Sequence, residues 1–88
     1  MEARIALDHR AVIEPDGAIL SVFRPDGSAA FALAAPEGGA FCSFAEHAVH
    51  GMCPIVSFEP VNKINGWMDW YYLVDIANGS IERLNPWR

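Results

Sequence analysis

Between positions 3 and 13, the odd residues Ala3, Ile5, Leu7, Ala11 and Ile13 are apolar, with His9 among them. Arg4, Asp8 and Arg10 hold most of the even positions. A period of two predicts extended backbone, in which successive side chains point to opposite faces. The Asp8-His9-Arg10 triplet is where this run is expected to break or bulge. The stretch 18–24 alternates too, with Leu20 and Val22 on one face and Ile19 and Phe23 on the other. In 28–34, Phe31 and Leu33 stand opposite a face of alanines.

Two Pro-Asp-Gly triplets, Pro15-Asp16-Gly17 and Pro25-Asp26-Gly27, separate these runs. Proline presets φ, aspartate bonds its own backbone, and glycine takes φ > 0 without a Cβ clash, so each triplet predicts a tight turn closed by a glycine bulge. The first three runs therefore read as a meander. Asn78-Gly79 is a further hairpin signal. A strict two-residue turn there would set Asp75 opposite Glu82, a like-charge pair that a longer loop would avoid.

After Pro36 the period changes. At about 100° per residue, Phe41, Phe44, Ala45, Ala48, Val49 and Met52 share one side, and Ser43, Glu46, His47 and His50 the other. Gly51 and Pro54 are placed to stop a helix, so 40–52 is expected to be amphipathic and helical. Stretches 55–59, 67–76 and 80–84 read as strands, with 60–66 a polar loop. The expected fold is α+β: one domain over 1–88, in which a single antiparallel sheet of five to six strands, ordered βββαβββ along the chain, carries one helix on one face.

Composition sharpens this picture. Hydrophobic residues make up 52% of the chain and charged residues only 19%, so a sheet half covered by one helix would leave apolar surface wet. The surplus includes Trp67, Trp70, Tyr71 and Tyr72, whose alternation sends Trp67 and Tyr71 to the face opposite Trp70 and Tyr72. Aromatic clusters of this kind are enriched in interface cores. These four residues are the expected interface or ligand-binding set, and the expected partner is a second copy of the chain or another protein.

The net charge of −5, with Lys63 the lone lysine and Arg4, Arg10, Arg24, Arg83 and Arg88 scattered along the sequence, speaks against nucleic acid, which needs clustered cations. No apolar run approaches the ~20 residues of a membrane span, and charges interrupt the N-terminal stretch, so no membrane partner and a cytoplasmic location are expected.

Chemistry-bearing residues are few. Cys42, His47, His50 and Cys53 are metal-ligand types, but C-x4-H-x2-H-x2-C on a helix cannot converge on one ion. A Cys42 nucleophile served by His50 would lie about 12 Å from its base along a helix. Both cysteines are expected to be buried free thiols, with no catalytic residue, metal or cofactor assigned. His9, on the inward face, with Glu46 and His50 are the candidate polar groups of a pocket. The expected function is a small non-enzymatic binding module that self-associates through its aromatic surface, as an adaptor or inhibitor of the kind mobile elements carry. The alternative is a homo-oligomer enclosing an apolar small-ligand pocket at its subunit interfaces, with weak catalysis there.

Overall fold

Eight strands, every neighbouring pair antiparallel, supply the regular structure of the computed structural model, which describes residues 1–87. The first sheet is a meander of β1 (Glu2–Arg4), β2 (Arg10–Ile13), β3 (Ile19–Phe23) and β4 (Ala29–Ala34). The second is a meander of β5 (Gly39–His47), β6 (Gly51–Phe58), β7 (Asp69–Asp75) and β8 (Ser80–Pro86). One cluster joins them: Ala11, Ile13, Leu20 and Val22 from the first sheet meet Phe41, Val56, Phe58, Trp70, Tyr72 and Val74 from the second. The accessible surface is 5138 Å², against about 5,100 Å² for a compact monomer of this mass. The core thus closes within one chain.

This corrects the α+β expectation. Among the described residues there is no helix over 40–52; that segment is β5, the turn after His47 and the start of β6. The cause is a β-bulge. Phe41 pairs with Val56 and Ser43 with Ile55, so Cys42 is the extra residue. Phe41 and Phe44 then face the core together although three positions apart, a spacing that mimics a helical i, i+3 pair. Alanine-rich sequence favours helix by only tenths of a kcal/mol per residue, and a lone helix of this length is marginal in water. Pairing along β6, burial of Phe41 and packing of Phe44 against the core prevail. The sheet face left uncovered by a single helix is in fact covered by the other sheet.

Both Pro-Asp-Gly turns form. The Gly17 amide donates to Glu14 O at 2.9 Å and the Gly27 amide to Arg24 O at 2.8 Å, with φ of 75° and 91° at the two glycines. Asp16 Oδ1 accepts from the Ala18 amide, and Asp26 Oδ1 from the Ser28 amide and hydroxyl. The Ser28 hydroxyl bond is the main cause holding the Asp26 carboxyl below its usual range. Asn78-Gly79 closes a four-residue loop instead of a two-residue turn: Asp75 pairs with Ser80, and Leu73 with Glu82, so the two acids are not opposed.

The run 3–13 reverses on itself. Ala3 pairs with Ala11 and Arg4 with Arg10, so odd residues face odd ones and the inward parity survives the reversal. The turn puts Leu7 and Asp8 both at positive φ, 55° and 57°, where Asn-Gly is the favoured pair. Exposed Leu7 and Asp8 have no packing to offset that strain. Replacing them together (Leu7→Asn with Asp8→Gly) should stabilise the fold by about 1–2 kcal/mol, raising the melting temperature by roughly 4–16 °C. A melting temperature at or below the parent's would contradict this turn geometry.

Candidate functional site

The aromatic strand divides its side chains between two faces. Trp70 and Tyr72 are buried in the shared core, at 6% and 7% exposure. The Trp70 indole N–H donates to Trp67 O at 3.1 Å, and the Arg83 guanidinium lies over its ring at 4.9 Å. Burial raises the Tyr72 hydroxyl above its ordinary pKa, with the Arg83 charge opposing. These two side chains are structural, and neither offers a surface.

Tyr71 points to the outer face. Its hydroxyl donates to Glu46 O at 3.0 Å, so the ring reaches from β7 across β6 to β5. His47 meets it edge-on, with ring centres 4.9 Å apart. The His47 Nδ1 accepts from the Val49 and His50 amides, which leaves Nε2 to carry the hydrogen and donate to Asn85 Oδ1 at 2.7 Å. One imidazole therefore caps the tip of the β5–β6 hairpin and ties it to β8. This cover explains why Cys53 and Ile55, which do not belong to the shared core cluster, are nevertheless 1% and 0% exposed.

The polar groups assigned to a pocket do not meet. His9 sits in the β1–β2 turn, half-buried, with Nδ1 on Leu7 O at 2.9 Å rather than facing inward along a strand. Glu46 and His50 are exposed on the β5–β6 hairpin of the other sheet. The cysteines differ from expectation in one respect. Cys53 is buried, but Cys42, as the bulge residue, is exposed, with Sγ 3.5 Å from Ile55 O. Burial and then the Glu46 charge push the Cys53 thiol up to about 11. Desolvation also raises Cys42. Both stay protonated near neutrality, the wrong state for a nucleophile. Among the described residues, no group of three or more His, Cys, Asp or Glu side chains could hold a metal ion, and no helix is long and apolar enough to cross a membrane.

What the surface does carry is an apolar end. Trp67 and Met68 are each 41% exposed, Trp87 38% and Val61 89%. All four belong to the end of the second sheet where β6 stops, β7 starts and β8 finishes. The backbone there is held firmly. Ile64 and Trp67 exchange both amide-to-carbonyl bonds at 2.9 Å around Asn65 and Gly66, at φ of 50° and 83°. This is the two-residue hairpin turn for which Asn-Gly is the favoured sequence. Asn65-Gly66 was legible as such in the sequence, inside what reads as a polar loop. The Met68 carbonyl accepts from the Phe58 amide and the Trp87 amide donates to Asp69 O, which fasten the flanks. Arg88 of the tail lies outside the described residues.

No protein-family model, curated protein or solved structure matches this chain. The arrangement provides a pre-ordered, partly wet aromatic surface on one end of a closed sandwich.

Proposed function

We propose that the protein is a non-enzymatic binding module that self-associates through the end of its second sheet, with Trp67 as anchor and Met68 and Trp87 beside it. The observation that carries this reading is the Asn65-Gly66 turn. It holds Trp67 in a fixed, 41% exposed position while the neighbouring Trp70 is buried in the core. A rigid aromatic anchor binds with little loss of conformational freedom.

The magnitudes favour a concentration-dependent contact. Fully buried aromatic residues contribute 150–250 Å², so the exposed parts of Trp67, Met68 and Trp87 amount to roughly 250 Å² per subunit. At about 25 cal/mol per Å², a symmetric pair gains roughly 12 kcal/mol gross, against 4–15 kcal/mol for lost rigid-body freedom. Net association is thus modest. Sedimentation equilibrium from micromolar to near-millimolar protein should show a mass rising from 9.7 kDa toward twice that value. Trp67→Ala should hold it near the monomer. A constant 9.7 kDa across the range would defeat the proposal. The reading in which subunits enclose a catalytic pocket gains no support from His9, which sits on the first sheet while Glu46 and His50 sit on the second.

A further inference from the structure

The chain has six lysines and arginines, and three of them, Arg4, Arg10 and Arg24, line one open cleft of about 420 Å³ at the end of the first sheet, with Glu2, Asp8 and Pro25. Far apart in sequence, they meet through the topology. The β1–β2 reversal sets Arg4 opposite Arg10, and the β2–β3 register sets Arg10 opposite Phe23, the residue before Arg24.

Two features of this corner are unfavourable to the fold taken alone. Like charges directly opposite on a sheet repel. The turn that brings them together holds Leu7 and Asp8 at positive φ. In an acidic protein, half of the lysines and arginines line this corner, and two of them, Arg4 and Arg10, are set directly opposite each other.

Two of the three guanidinium groups, those of Arg10 and Arg24, are held in place by contacts. Arg10 stacks on the Phe23 ring, 4.6 Å from its centre, and makes a long 3.4 Å contact with Glu2. Arg24 Nη1 donates to the Ser28 hydroxyl and the Ala29 carbonyl, which fixes its direction along the turn. Arg4 makes no hydrogen bond or ion pair with the other described residues. Stacking leaves the edge of a guanidinium free for the forked, two-bond recognition of an oxyanion.

From this we infer that the cleft binds the oxyanion of a small molecule, a phosphate monoester or a polycarboxylate, with Arg4 and Arg10 as the paired donors and Arg24 at the rim. The volume is that of small-ligand sites. Three arginines against Glu2 and Asp8 leave the lining with an excess of one positive charge. The two acids accept from hydroxyl or amine groups on the rest of the ligand. A nucleic-acid strand needs a longer track of cations than this corner supplies.

The test is titration of the full-length protein with sodium phosphate, sodium pyrophosphate and sodium citrate, each against sodium chloride at equal ionic strength, followed by amide NMR shifts. At least one oxyanion should give saturable shifts at millimolar or lower concentration, confined to residues around Arg4, Arg10 and Arg24. Tighter pyrophosphate assigns the phosphate class, and tighter citrate the carboxylate class. Arg4→Ala and Arg10→Ala should each weaken binding about tenfold or more, the loss expected for a charge-assisted forked pair. Lys63→Ala and Trp67→Ala should leave it unchanged, which separates this site from the aromatic end. Arg4→Ala relieves the repulsion with Arg10, so its melting temperature should equal or exceed the parent's; loss of binding then cannot be loss of fold. Unsaturable shifts common to all four salts, or an equal loss in Lys63→Ala, would overturn the inference.

Discussion

Gly17→Ala should lower the melting temperature by roughly 12–30 °C, while Gly27→Ala, the same change in the sister turn, should cost only about 4–16 °C. Both glycines sit at positive φ, where an L side chain costs about 1–2 kcal/mol. Their surroundings differ. A Cβ at Gly27 would meet nothing within 4 Å, whereas one at Gly17 would lie 2.6 Å from Phe41 O and 3.2 Å from Ala40 Cβ. Gly17 is where the two sheets touch through backbone: its carbonyl accepts from the Phe41 amide at 2.8 Å. Relieving the clash means pulling that bond apart, which adds a second loss of similar size, about 3–4 kcal/mol in all. Thermal melts followed by circular dichroism would decide it. Equal melting temperatures for the two variants would show that the sheets are not in contact at Gly17. Gly79 belongs with Gly27, since a Cβ there meets Phe31 at an ordinary 3.5 Å.

Trp70→Ala should remove about 3–5 kcal/mol of stability, a large share of the roughly 4–13 kcal/mol available to a chain of this length. The ring is buried between the sheets, its N–H satisfied by Trp67 O and its face covered by Arg83. Trp67→Ala, at a residue 41% exposed, should cost far less in stability and act instead on the solution mass. Urea midpoints for the two variants, read beside their sedimentation, separate core from surface. If Trp67→Ala proved the more destabilising of the two, the division of the aromatic strand between core and contact would be reversed.

The aromatic strand shows how far periodicity reaches. Alternation alone put Trp70 and Tyr72 on one face and Tyr71 on the other, and the structure keeps that parity. Alternation does not say which face is inside, because both are rich in aromatic carbon. The choice is made by Val56 and Phe41, which pair alongside Trp70 and turn the same way into the core. Tyr71 has a different fate, over Cys53 and Ile55, because His47 and Asn85 close across it.

The sequence by itself determined the two Pro-Asp-Gly turns and the faces of the strands on either side of the second. Pro-Asp-Gly and Asn-Gly act through φ preferences and hydrogen bonds within a few residues, so no distant partner is needed to read them, and the alternation in 18–34 follows directly. Tertiary structure alone decided three things. The segment 40–52 became a hairpin because pairing with β6 buries Phe41 and packs Phe44 on the core; the Cys42 bulge within that pairing changes the strand period locally from two to three, which in sequence resembles a helical stripe. The apolar surplus formed a second layer instead of an exposed sheet face, because eight strands can bury each other where one helix and six strands cannot. Arg4, Arg10 and Arg24, scattered along the chain, came to line one cleft because a reversal in strained backbone brought the first strand back beside the second. Local chemistry is written in neighbouring residues; which strand lies against which depends on burial and pairing summed over the whole chain.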